Sequence, residues 1–184
     1  SDEDHGIISS QKVGPTVAND MRTDAYIAVG LSLLAMFFYI LLRFRNIAFS
    51  VGALAAVAFT AFSIIGFYSI FWGMLPFAME IDQTFIAAIL TVIGYQINDT
   101  VVVFDRVREN MASMTRKDSL SDMVDTSITQ TLSRSIFTSL TTFVMVAALY
   151  VFGVTSVKEF ALPLMAGILC GTYSSVCVAG ALWL

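Results

Sequence analysis

The residues with the most chemical potential lie in the run Gly94-Tyr-Gln-Ile-Asn-Asp-Thr-Val-Val-Val-Phe-Asp-Arg-Val-Arg-Glu-Asn110. Between Phe85 and Phe104 the ionisable side chains are Tyr95 and Asp99. A carboxylate inside an apolar segment of this length costs about 2.5–3.5 kcal/mol on insertion scales and marks an ion path, a proton relay or a buried partner. At about 100° per residue, Gln96, Asp99, Val103 and Arg106 fall on one helical stripe. Asp99 then sits roughly 7–8 Å inside the interface marked by Asp105, and Arg106 about 10 Å further along the same helix. That separation is too long for direct pairing, so Asp99 is expected to face another helix. Burial and a nearby guanidinium act on a carboxyl in opposite senses, and a group balanced between them can load and release protons. The structural alternative is a protonated Asp99 bonded to Asn98 or to a neighbouring helix.

Such a residue needs a hydrocarbon environment, and the composition supplies one. The chain has 184 residues, is 57% hydrophobic and 13% charged, and carries a net charge of −4. Its apolar residues come in long blocks, the pattern of an all-α polytopic membrane protein. Five blocks reach spanning length: Ala25–Leu42, Ala48–Trp72, Gln83–Phe104, Ser135–Gly153 and Phe160–Leu184. Ser1-Asp-Glu-Asp-His5 has no start Met and no basic n-region, so the chain reads as a fragment, cut after Leu184 as well.

Loop charge gives an orientation. Arg43, Arg45, Arg106, Arg108, Arg116, Lys117 and Arg134 lie on one side, and Lys12, Arg22 and Lys158 on the other. The first side is expected to be cytoplasmic. Residues 1–24, the loop Trp72–Asp82 and the loop Val154–Glu159 then lie outside, with Phe71, Trp72 and Phe77 as an aromatic belt. Residues 105–134 form the cytoplasmic connector: helix three running on through Arg116, a break, then Ser119 capping a new helix with Asp122 at its third position.

Small residues recur every four positions at Ala48, Gly52, Ala56 and Thr60, and again at Gly167, Gly171, Ser175 and Ala179. They predict close helix packing. Ser133, Ser135, Thr138, Ser139, Thr141 and Thr142 either bond to their own helix or line a water path. No cofactor, metal or nucleic-acid site is indicated. His5 stands alone, Cys170 and Cys177 lie about 10 Å apart on one helix and read as buried thiols, and no phosphate loop or catalytic triad is present.

The run from Gly94 to Asn110 resembles the signature of the SecF family of bacterial protein-export membrane subunits. Val13-Gly-Pro-Thr-Val17, Thr131-Leu-Ser-Arg-Ser-Ile-Phe-Thr-Ser-Leu-Thr-Thr142 and Gly171-Thr-Tyr-Ser-Ser175 match it in order. The resemblance implies a transmembrane domain of the resistance-nodulation-division type, with six helices per half. This chain would hold helices two to six as residues 25–184, with residues 1–24 closing a periplasmic domain. It further implies a non-enzymatic accessory subunit in the bacterial inner membrane. Its implied partners are SecD (separate or fused), SecYEG, YajC, the unfolded exported polypeptide and membrane lipids. Proton coupling would fall to Asp99, Arg106, Asn98 and Asp105. Many relatives carry a His-Asp pair where this chain has Phe59 and Thr60, neither of which titrates. A proton-driven exporter of small molecules or lipids on the same fold is the rival reading, and a structural scaffold a third.

The orientation is testable by labelling intact cells with a membrane-impermeant thiol reagent. A Cys at Asp82 should react and a Cys at Lys117 should be protected; the reverse pattern would invert the topology.

Overall fold

A computed structural model describes residues 15–71, 74, 82–115, 119–179 and 181, with side chains from residue 23 onward and at Asp20. Five helices follow one another: α1 (Pro15–Phe44), α2 (Ile47–Phe71), α3 (Gln83–Ala112), α4 (Leu120–Phe152) and α5 (Thr155–Tyr173), the last running into a π-helical turn at Ser174–Val178. All five are long and apolar enough to cross a membrane. There is no strand among the described residues. The expectations for residues 1–14, Trp72, Phe77, Arg116, Lys117 and Leu184 lie outside the described residues.

The helix ends differ from the expected ones for local reasons. The expected span Ala25–Leu42 falls within the apolar stretch Thr23–Phe44 of α1, and the helix itself opens earlier, at Pro15; proline suits a first helical position, where an N–H would go unpaired. Helix α3 stops at Ala112 instead of Arg116, and the Ser113 N–H closes it on the carbonyls of Asn110 and Met111. Ser119 caps α4 as expected, its hydroxyl accepting from the Asp122 N–H. From there α4 is helical throughout, so the new helix expected after Ser119 runs unbroken into the span placed at Ser135–Gly153. Hydropathy hides this, because Ser127 and Thr131 are polar yet buried alongside Met123 and Val124. Thirty-three residues of helix reach about 50 Å, well beyond the ~30 Å hydrocarbon core. The α3–α4 hairpin therefore projects from one end of the bundle.

Two tight links complete the frame. Arg45 adopts φ 54° between α1 and α2, and Asn46 Oδ1 accepts from the Ala48 N–H at 2.9 Å. The expected loop Val154–Glu159 shrinks to Gly153 and Val154. A Cβ on Gly153 would lie 2.4 Å from the Leu149 carbonyl and 2.7 Å from Val157, which explains the glycine.

The interior divides into two apolar clusters. One is built from Met36, Ile40, Phe44, Phe49, Val103, Phe104 and Val107 with Met123 and Val124. Its centre is the ring trio Phe44, Phe49 and Phe104, with centroids 4.9–5.9 Å apart. The other holds Ile64, Tyr68, Phe85, Val92, Val146, Leu164 and Ile168. Between them α2, α3, α4 and the π-turn contribute buried polar side chains: Thr60, Gln96, Thr100, Ser135, Ser139, Ser174 and Ser175.

The small-residue stripes pack helices as expected. Gly167, Gly171, Ser175 and Ala179 are all buried, as are Gly52, Ala56 and Thr60; Ala48 is exposed. A Cβ on Gly52 would touch the Ala179 carbonyl at 3.4 Å. A Cβ on Gly167 would stand 2.3 Å from Val92 Cγ2 and 3.1 Å from Ile64 Cδ1. Both neighbours are stiff and buried, so Gly167→Ala should destabilise the bundle by about 1–3 kcal/mol through overpacking. Adding Val92→Ala should restore part of the loss, measured by unfolding in mixed detergent micelles. An undisturbed Gly167→Ala would mean that α3 and α5 are less tightly apposed.

Candidate functional site

Asp99 projects from the middle of α3 towards α4. Its Oδ1 accepts a hydrogen bond from Ser135 Oγ at 2.6 Å, across 36 residues of sequence. Its Oδ2 is buried without a hydrogen-bond partner among the described residues. Arg134, next to Ser135, is the cation whose charge acts on this carboxyl. The expected partner on another helix is therefore Ser135, with Arg134 beside it, rather than Asn98.

One turn away, Ser139 Oγ lies 3.5 Å from the Tyr95 hydroxyl, which donates to it, and 2.5 Å from Thr172 Oγ1. Thr172 Oγ1 is also 2.7 Å from the Ile168 carbonyl. A hydroxyl carries one proton; if Thr172 gives its proton to that carbonyl, it accepts from Ser139. Ser127, Thr131, Ser135 and Ser139 thus recur every four residues along the buried face of α4. The Thr138, Thr141 and Thr142 hydroxyls instead bond back to carbonyls of α4.

A second polar group joins α2, α3 and the π-turn. Gln96 Nε2 donates to Ser174 Oγ at 2.7 Å, and Ser174 Oγ lies 2.6 Å from Thr60 Oγ1. Thr100 Oγ1 donates to Ser175 Oγ at 3.1 Å. Gln96 Oε1 is buried without a partner among the described residues. At the register where the His-Asp pair was expected, Phe59 is exposed, with its ring centroid 6.1 Å from that of Tyr173, and Thr60 is buried in this polar group.

The other expected site residues lie elsewhere. Asn98 is exposed. Asp105 pairs with Arg43 of α1 at 2.8 Å. Arg106 turns to α4, its Nε donating to Gln130 Oε1 at 2.6 Å and its Nη1 to Glu109 at 2.5 Å. Asn110 Nδ2 donates to Ser127 Oγ at 2.7 Å and to Gln130 Oε1 at 3.1 Å. Asp99 and Arg106 therefore face the same helix at different heights, while Asp105 and Asn98 face away from it. Cys170 is half-buried and Cys177 exposed, both as free thiols, which corrects the reading of two buried ones. Among the described residues no group of His, Cys, Asp or Glu could hold a metal.

Five long apolar helices with a hydrogen-bonded carboxyl and hydroxyls in mid-span define a polytopic helical membrane protein. The family model for protein export membrane protein SecD/SecF, C-terminal, matches residues 1–184, and the chain belongs to that family. It is 44% identical over 173 residues to the protein translocase subunit SecF of Rhodothermus marinus, covering 94% of this chain and 56% of that protein. To the Haemophilus influenzae SecF it is 44% identical over 179 residues, covering 97% and 52%. To the Bacillus subtilis SecDF it is 41% identical over 174 residues, covering 94% and 23%. The chain thus spans about half the length of these SecF relatives. A crystal structure of SecDF in a super-membrane-facing form superposes with a TM-score of 0.79 at 38% identity, covering 93% of this chain and 22% of that one.

The contact between Asp99 and Ser135 can be measured by a double-mutant cycle. Losing one partner of a buried hydrogen bond costs about 1–3 kcal/mol. Asp99→Ala and Ser135→Ala should therefore be non-additive by at least about 0.5 kcal/mol in detergent unfolding. Strict additivity would mean that the two side chains do not touch.

Proposed function

We propose that this chain is the membrane-embedded portion of an accessory subunit of Sec protein translocation, which uses the proton gradient to promote export across the bacterial inner membrane. Its partners on this reading are SecD (separate or fused), SecYEG, YajC and the unfolded exported polypeptide. One observation carries the proton-coupling part: an intramembrane carboxyl with one oxygen held by Ser135 and the other buried without a partner among the described residues.

The chemistry follows from that geometry. As a carboxylate, Asp99 accepts from Ser135 and feels the Arg134 charge. As a neutral acid it gains a donor, needs an acceptor and loses its attraction to the guanidinium. Each proton therefore changes the force between α3 and α4. Those two helices are tied beyond the membrane through Asn110, Ser127, Gln130 and Arg106, so a shift at Asp99 moves the hairpin as a unit. One charge crossing the field is worth about 2.3 kcal/mol per 100 mV, enough to rearrange bonds of this strength. Arg106, at the hairpin base, biases the protonation of a carboxyl within the membrane.

Export assays at matched protein abundance test the proposal. Asp99→Asn keeps shape but does not titrate, and should abolish the stimulation of secretion. Arg106→Lys should keep part of it, and Arg106→Gln should not, because a lysine retains the charge without the planar fork. Full secretion by Asp99→Asn would leave the carboxyl a structural role.

A further inference from the structure

The corner between α1 and α2 is rich in positive charge. Arg43 and Arg108 meet there, exposed Arg45 stands two residues beyond Arg43, and among the described residues the carboxylate paired with them is Asp105. Arg43 Nη2 lies 2.8 Å from Asp105 Oδ2. Arg108 Nη1 reaches the Arg43 carbonyl at 3.5 Å, a weak contact at the electronegative end of α1. The Arg45 guanidinium has no hydrogen bond or ion pair among the described residues. Among the described residues, three guanidiniums near this turn thus share one ion-paired carboxylate.

The backbone singles out Arg45. Its φ of 54° is the left-handed conformation, and it is the non-glycine residue among those described that adopts it. A side chain there costs about 1 kcal/mol or more per residue, and glycine would remove that strain. The turn closes α1 as a left-handed cap, the Arg45 N–H donating to the Leu41 carbonyl at 2.8 Å, at a position that glycine usually fills and that here carries a long cation. Leu42 and Ile47, which flank the turn in sequence, are 78% and 65% exposed. The corner thus combines an excess of planar cations at the interface with bare apolar surface beside it. That pairing fits an anionic lipid, whose phosphate a guanidinium grips with two parallel bonds and whose tails need hydrocarbon contact.

We propose that the α1–α2 corner is a binding site for an anionic phospholipid. The guanidiniums of Arg45 and Arg108 hold the headgroup phosphate, and the acyl chains lie along Leu42 and Ile47. Arg43, already paired with Asp105, fixes the corner from the other side. Positive charge at this end of the bundle also serves topology, but topology needs neither the left-handed Arg45 nor a cluster at one turn.

The test uses the full-length protein in nanodiscs of phosphatidylcholine alone or with added phosphatidylglycerol or cardiolipin. A lipid that binds the folded state raises its melting temperature; we expect a rise of at least about 2 °C with anionic lipid and retained lipid adducts in native mass spectra. Arg45→Gly relieves the backbone, so it should melt no lower than the parent in phosphatidylcholine, yet lose the anionic-lipid rise and most adducts. Arg108→Gln should reduce both readouts, and Lys158→Gln, which removes a charge at the opposite end, should change neither. An undiminished lipid response in Arg45→Gly would overturn the site. So would an equal loss in Lys158→Gln, which would mean a diffuse charge effect. Displacement of the lipid by millimolar inorganic phosphate would overturn it too, by making the ligand free phosphate.

Discussion

Within hydrocarbon no water satisfies a polar atom, so each buried oxygen or nitrogen must find its partner inside the protein. That constraint organises this bundle. Two apolar clusters pack without direction, and between them lies a layer of hydroxyls, an amide and a carboxyl that pack with direction. The layer decides which faces of α2, α3, α4 and α5 meet. Thr60 and Gln96 both find Ser174, Thr100 finds Ser175, Asp99 finds Ser135, and Ser139 stands between Tyr95 and Thr172. A slip of one residue on α2, α3 or α4 would leave several polar atoms stranded.

Such a layer orients helices without locking them. Interhelical polar contacts in membranes average about 0.6 kcal/mol each, close to thermal energy. The tight parts are steric instead: Gly167 against Val92, Gly52 against the Ala179 carbonyl, and the bare turn at Gly153. A bundle held firmly by glycine contacts and lightly by hydroxyls can exchange hydrogen bonds in its centre while its outline stays fixed. On the proposed reading, a proton-coupled motion would draw on this combination, because each interhelical bond it exchanges is worth little.

Much of this was legible in the chain. The five spans, the four-residue stripes and the Ser119 cap follow from spacing and side-chain size, which are local properties. The Gly94–Asn110 run marked Asp99 as facing another helix, because a charge in an apolar segment is conspicuous. The partner was less visible. Ser135 is one of many hydroxyls on α4, and nothing local separates it from Thr138, which bonds to its own backbone. Gln96 lay on the same stripe as Asp99 yet turns to α5 rather than α4. The start of α4 was marked by the Ser119 cap, but the burial of its first half was not, because Met123, Val124, Ser127 and Thr131 average to a polar stretch in a hydropathy window.

The π-turn at Ser174–Val178 has a consequence for chain length. A π-turn holds one residue more than the α-helical turn it replaces. Up to Tyr173, α5 follows ordinary helical phase; after Val178 it resumes that phase with Ala179 against Gly52. The extra residue is where the helix changes its angular bookkeeping. Removing one residue after Ser175, beyond the two serines that bond to Thr60, Gln96 and Thr100, can be absorbed by reverting to α-helix, leaving the faces on either side in place. The same deletion in α3, which has no such slack, would rotate everything beyond it by about 100°. In a membrane bundle, where insertions and deletions are normally confined to loops, this stretch is a place inside a helix where the length of the gene can vary by a codon without re-aiming the helix.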